Sequence, residues 1–179
     1  AVIVGNGIRF SESIDLLKNF IGKVKIPVLT AWNAHDIIEE KFPYYFGRPG
    51  TVGDRPGNLI AQNSDLLIVL GSRLNIRQIG YNWKAFARES KIIMVDIDKN
   101  ELKKHTLNVD YPIVDDLHSF ISLLNKNLNE DLKEKSKWID YCKMVNKKYP
   151  VFNKKYSKSK LVNPYYFMNE LGSLLKENQ

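Results

Sequence analysis

The chain has 179 residues, 44% hydrophobic and 26% charged, with a net charge of +7, the make-up of an ordinary soluble protein with one core. No run approaches the roughly 18 apolar residues of a membrane-spanning helix, and the N-terminus lacks the order of a secretory leader; no membrane partner and a cytoplasmic location are expected. The single cysteine, Cys142, excludes an internal disulfide and a thiolate metal cluster, and in its Lys- and Tyr-rich surroundings it reads as structural.

The chain opens on a strand, Ala1 to Val4, that runs into the turn Gly5-Asn6-Gly7, where glycine lets the backbone bend sharply or approach a ligand. Apolar residues at helical spacing predict a helix from Ser11 to Phe20, followed by a strand from Ile26 to Thr30. Phe42 to Asn58 holds Pro43, Gly47, Pro49, Gly50, Gly53, Pro56 and Gly57 and reads as a long irregular loop, a kind of segment that usually serves function. Continuous apolar runs at Leu66 to Leu70 and Ile92 to Ile97 read as strands buried on both faces. A shorter strand is expected at Pro112 to Val114 and a helix at Asp116 to Leu124. The alternation predicts an α/β fold: a Rossmann-like, doubly wound parallel sheet of about six strands with a C-terminal helical extension.

Beyond residue 128 the pattern changes. Asn129 to Lys148 reads as a charged helix stopped by Pro150, Val151 to Val162 as a linker, and Asn163-Pro164 as the cap of a last helix, Tyr165 to Lys176, with an apolar stripe at Phe167, Leu171 and Leu174. Ten of the lysines fall between Lys133 and Lys160, interleaved with Trp138, Tyr141, Tyr149, Phe152 and Tyr156. Such a run could track a single strand of nucleic acid. Without an accompanying nucleic-acid motif it reads instead as a solvated helix and linker whose aromatics pack inward, and no nucleic-acid partner is expected.

In an open parallel sheet, ligands bind beyond the carboxyl ends of the strands. The turns there hold Gly5-Asn6-Gly7, Thr30-Ala31-Trp32, Gly71-Ser72-Arg73 and Asp96-Ile97-Asp98. Arg73 and Arg77 could grip a diphosphate, and Asp96 could accept from a ribose or adenine. Phe10 stands where a third fingerprint glycine would be, so Gly5-Asn6-Gly7 is equally a structural turn or a phosphate cradle. His35, His105 and His118 show no ligand spacing, and no nucleophile elbow occurs; His105 and His118 read as surface residues and His35 as a cap or a ligand-facing group. No catalytic and no metal-binding residue is expected in this chain.

The ordered segments VIVGNGIR, KIPVLTAW, PYYFGRPG, NSDLLIVLGSRL, KIIMVDIDKNEL and YPIVDDL resemble the central domain of thiamine-diphosphate enzymes such as acetolactate synthase. The resemblance covers residues 1–128, with 129–162 as connector and 163–179 as the helix that opens the family's C-terminal, diphosphate-binding domain. It implies an enzyme that uses thiamine diphosphate and Mg²⁺ to make or break a carbon–carbon bond beside the carbonyl of a 2-oxo acid. The activating glutamate and the magnesium-holding motif belong to the family's N- and C-terminal domains, so this chain alone is expected to be inactive, with those domains as partners in a homo-oligomer, a dimer or tetramer.

In acetolactate synthases the central domain holds FAD; related enzymes hold ADP or leave the site empty, and all three occupancies stay open here. Carried over by position, the nucleotide-contacting residues would be Gly5, Gly7, Thr30, Ala31, Gly50, Thr51, Val52, Gly53, Arg73, Asn75, Arg77, Asp96, Ile97 and Asp116. The chain departs from the family where M-H-G becomes Thr51-Val52-Gly53, where R-F-D-D-R becomes Arg73-Leu74-Asn75-Ile76-Arg77, and where a triple glycine becomes Gly5-Asn6-Gly7. A stand-alone nucleotide-binding or regulatory module is the competing reading, and a basic nucleic-acid-binding protein a more distant one.

Overall fold

The computed structural model describes residues 1–128, 132–158 and 160–175. Five parallel strands, β1 (Val2–Val4), β2 (Val28–Thr30), β3 (Leu66–Leu70), β4 (Lys91–Asp96) and β5 (Tyr111–Val114), form one sheet in the order β2-β1-β3-β4-β5. About six strands were expected. Where a sixth would lie, residues 44–47 run parallel to β2: the Val28 N–H donates to Tyr44 O at 2.8 Å, Phe46 N–H to Val28 O at 3.1 Å and Thr30 N–H to Gly47 O at 3.1 Å. This ribbon covers the edge that β2 would otherwise expose.

Alternation along each strand sends side chains to two faces, and both are covered. On one face Val2, Val4, Val28, Leu70 and Val95 pack with α1 (Gly7–Phe10), α2 (Ile14–Val24) and α5 (Leu117–Asn127). On the other, Ile3, Leu29, Leu67, Val69, Ile92 and Met94 pack with α3 (Arg55–Asn63) and α6 (Ser136–Lys148), the latter through Ile139 and Cys142. Each fully buried aliphatic side chain stabilises the fold by about 1.5–3 kcal/mol. The doubly wound α/β architecture follows from these two apolar layers.

Several boundaries differ from expectation for visible reasons. The predicted Ser11–Phe20 helix is Ile14–Val24, because Glu12 at φ 51° separates it from α1 and Lys25 at φ 54° ends it. The expected long loop closes early: Asp54 caps α3 by accepting from the Gly57 N–H, and Pro56 fits the first turn. A single turn, α4 (Ile76–Ile79), follows β3. The charged helix begins at Ser136; its expected start at Asn129 lies outside the described residues, as does the expected end of the last helix at Lys176. That helix, α7 (Pro164–Leu174), is capped by Asn163, which accepts from the Tyr165 N–H at 2.9 Å. Phe167 and Leu174 are exposed and Leu171 is half-buried.

Candidate functional site

The strand order reverses between β1 and β3, which makes the crevice at their carboxyl ends the place where a parallel sheet accepts a ligand. A cavity of about 280 Å³ lies there, lined among others by Gly5, Asn6, Gly7, Ala31, Arg73, Asn75, Gln78, Asp96 and Ile97. Seven of the fourteen expected positions therefore converge: Gly5, Gly7, Ala31, Arg73, Asn75, Asp96 and Ile97.

The glycines act by packing. A Cβ on Gly5 would stand 2.2 Å from Gly71 O, and one on Gly7 would stand 2.7 Å from Gly71 Cα. The Gly5 N–H donates to Leu70 O at 2.9 Å, that of Gly7 to Gly71 O at 3.1 Å and that of Gly71 to Val95 O at 3.2 Å. The N–H groups of Gly5 and Gly7 thus close β1 against β3, and that of Gly71 closes β3 against β4.

The polar side chains are held in place by neighbours. Arg9 donates to Asn6 Oδ1 and forms a two-point contact with Asp36 at 2.6 and 2.7 Å. Arg73 pairs with Glu101 at 2.5 Å, and Lys104 bonds both Glu101 at 3.1 Å and the Arg73 carbonyl. Burial by itself would lift the Glu101 carboxyl; the hydrogen bonds from Arg73 and Lys104 override it and hold the group below its ordinary 4.5. Glu101 in turn raises Arg73. Asp96 Oδ1 accepts from the Asp98 N–H at 2.9 Å, and Asn75 Oδ1 caps α4 through the Arg77 N–H at 3.0 Å. Arg73 thus lines the cavity with its largely exposed guanidinium paired to Glu101.

The other seven expected positions lie outside this lining. Thr30 is fully buried, its hydroxyl 3.3 Å from that of Tyr45. Gly50, Thr51, Val52 and Gly53 form a turn against α4: the Thr51 N–H donates to Arg77 O at 2.8 Å, and the side chain of Asn58 holds Gly50 N–H and O at 2.9 and 3.1 Å. Arg77 is on the surface beside that turn. Asp116 caps α5 by accepting from the Ser119 N–H at 3.1 Å. Sequence reasoning missed Asn6, Asn33 and Gln78 as lining residues; the first two sit in or beside strand-end turns that were recognised, whereas Gln78 carried no pattern.

Larger cavities also occur among the described residues. One of about 580 Å³ lies at the opposite end of the sheet, near Lys91, His105 and Asp110, and one of about 680 Å³ lies between Arg48, Asp54 and Tyr149. Size does not select the site; the switch point does, because several strand ends deliver polar groups to one place. Among the described residues, no group of three or more His, Cys, Asp or Glu could hold a metal ion, and no helix is long and apolar enough to cross a membrane. All five aromatics of the basic run are half-buried. Trp138 stacks on Tyr141 at 5.2 Å, and Phe152 stacks on Tyr166 at 6.4 Å.

Comparison with known proteins places residues 1–124 in the family described as thiamine pyrophosphate enzyme, central domain. A probable acetolactate synthase large subunit of Methanococcus aeolicus is 34% identical over 156 residues, covering 82% of this chain and 26% of that protein. The acetolactate synthase of Mycobacterium bovis is 31% identical over 175 residues, covering 96% and 28%. The acetolactate synthase isozyme 2 large subunit of Escherichia coli is 29% identical over 127 residues, covering 71% and 23%. The chain spans about a quarter of the length of these relatives.

Proposed function

The chain belongs to the thiamine pyrophosphate enzyme central-domain family, and from that premise we propose that it holds an adenine nucleotide, alone or as part of FAD, within a larger thiamine-diphosphate-dependent enzyme. The observation that carries this reading is the convergence of Gly7, Arg73, Asn75, Asp96 and Gln78 on one cavity at the switch point. The donor set fits a nucleotide: Asp96 can accept from ribose hydroxyls, while Arg73 offers a cation at the rim. At about 280 Å³ the cavity falls just below the roughly 300–1,000 Å³ usual for ligand sites, enough for part of a nucleotide rather than a whole dinucleotide.

The parent enzyme would act on 2-oxo acids as a carboligase or decarboxylase, a lyase or transferase of the acetolactate synthase kind. Thiamine diphosphate, with Mg²⁺, would supply the carbanion-stabilising chemistry. This chain offers no acid–base pair for that reaction at the switch point, so its part is to bind and position. Its contacts to the catalytic groups would come through the family's N- and C-terminal domains, in a cytoplasmic dimer or tetramer, and the isolated chain would be inactive. The division into residues 1–128, 129–162 and 163–179 belongs to the same proposal.

A thermal-shift panel with ADP, FAD, NAD and thiamine diphosphate tests the nucleotide site. A ligand at about 100 times its dissociation constant stabilises by about 2.7 kcal/mol, which for a domain of this size raises the melting temperature by roughly 5–11 °C. ADP and FAD are expected to produce that shift and thiamine diphosphate none. A shift with thiamine diphosphate and none with ADP or FAD would overturn the assignment.

A further inference from the structure

We infer that Phe10 is the stacking platform of the switch-point cavity, its ring and the side chain of Ile97 holding the adenine of the bound nucleotide between them. The inference rests on the nucleotide reading above and adds to it the place of the base. Phe10 is 81% exposed and Ile97 73%, and both line the cavity. Phe10 is the most exposed of the eight phenylalanines. A single apolar side chain in water is ordinary. Two that meet at one cavity, among the polar groups of Asn6, Arg73 and Asp96, form a surface suited to a flat ring with apolar faces and a polar substituent.

Neither side chain owes its exposure to a loose segment. Ile8, two residues before Phe10, is fully buried, and Arg9 makes its two-point contact with Asp36. The Phe10 N–H donates to Asn6 O at 3.2 Å and that of Ser11 to Gly7 O at 2.9 Å. Ile97 follows Asp96, whose side chain fixes the bend by accepting from the Asp98 N–H. The ends of β1 and β4, which the two residues follow, stand two places apart in the sheet, roughly 9–10 Å at the usual strand spacing. A planar ring in van der Waals contact on both faces takes up about 7–8 Å of that span. The neighbouring groups assign the ring. Asp96 is the acceptor proposed for ribose hydroxyls, so the base joined to that ribose falls beside Ile97, the next residue. In both ADP and FAD the ribose carries adenine, whereas the flavin ring hangs on an open ribityl chain.

Calorimetric and fluorescence titration of the 179-residue chain with ADP tests the platform, using wild type, Phe10→Ala and Phe10→Trp. At so exposed a position both variants are expected to melt within about 2 °C of wild type. Phe10→Ala is expected to bind ADP about five- to thirtyfold more weakly, the lower part of the range for one base stacked on an aromatic ring. Phe10→Trp keeps the platform and is expected to bind at least as tightly as wild type. The emission of its added indole is quenched in step with ADP occupancy, beyond any change in the three native tryptophans, none of which lines the cavity. Wild-type affinity for ADP in Phe10→Ala overturns the role of Phe10 and leaves the nucleotide site standing. Equal weakening in both variants, with no quenching in Phe10→Trp, makes Phe10 a determinant of the turn's shape and likewise overturns it. Wild-type protein that binds no ADP overturns the nucleotide reading and the inference with it.

Discussion

Replacing Gly5 by Ala separates the two roles a strand-end glycine can have. The added Cβ would meet Gly71 O at 2.2 Å, Ser72 Cα at 2.5 Å and Gly71 C at 2.7 Å, all main-chain atoms at the end of β3. Restoring a 3.4 Å contact needs a displacement of 3.4 − 2.2 = 1.2 Å. That movement pulls on the Gly5 to Leu70 and Gly7 to Gly71 hydrogen bonds. Overpacking costs about 1–3 kcal/mol and each weakened bond up to about 1 kcal/mol, giving roughly 2–4 kcal/mol in total. The melting temperature should fall by about 5–15 °C, with a matching drop in the urea midpoint followed by circular dichroism. Gly22→Ala is the control. Gly22 lies inside α2 with nothing within 4 Å of a new Cβ, so alanine should stabilise by about 0.8–1 kcal/mol through helix propensity. The packing argument is refuted if Gly5→Ala melts with wild-type stability and instead loses nucleotide affinity, since that is the signature of a glycine kept for ligand approach.

Three further expectations concern the surroundings of the site. Glu101→Gln removes the charge that holds Arg73, and ADP should bind roughly three- to tenfold tighter at low salt; unchanged affinity by calorimetry would place Arg73 outside the phosphate path. The Glu101 carboxyl is depressed in the folded chain, so its stabilisation is present above its ordinary 4.5 and lost as pH falls through the lower folded value. The Glu101→Gln variant should lack that part of the acid-unfolding slope. Asp54→Ala deletes acceptors for the Gly57 and Arg48 N–H groups at 2.7 and 2.9 Å, with an expected loss of about 1–2 kcal/mol and faster hydrogen exchange at both amides; protection equal to wild type would refute the capping role. Burial pushes the Cys142 thiol up to about 12, so at pH 8 an aromatic disulfide reagent should label it only at the rate of unfolding, and rapid labelling of native protein would contradict the packing of α6.

The strands were legible because burial on two faces writes itself as unbroken apolar runs. Leu66 to Leu70 matches β3 at both ends. At β4 the run is shifted by one residue. Ile97 belongs to the apolar pattern yet is 73% exposed, because the Asp96 side chain turns the chain by accepting from the Asp98 N–H. The start of α3 was hidden by composition: Pro56 and Gly57 look like loop, although an Asp cap with proline in the first turn is a helix-start signal. Half of the candidate site was legible because strand-end turns can be located from the strands. Gln78 was not, since a glutamine between Ile76 and Ile79 becomes buried only when the turn at Gly50 and the end of β3 close around it.

Where the chain departs from the family's R-F-D-D-R, the structure separates geometry from charge. Asn75, at the first aspartate position, still caps α4 with its side-chain oxygen, a task asparagine and aspartate perform about equally. Leu74, in place of the phenylalanine, is fully buried in the core. Ile76, at the second aspartate position, is 43% exposed and removes a negative charge one residue from Arg77. The turn therefore keeps its shape while the surface beside it becomes more positive. The main-chain donors of Gly5, Gly7 and Gly71 are engaged in closing the sheet, so in the proposed nucleotide site discrimination among ligands would fall to side chains such as Asn6, Arg73 and Asp96. Those side chains can change without disturbing the strands beneath them, so in the proposed nucleotide site the ligand preference can vary while the fold stays the same.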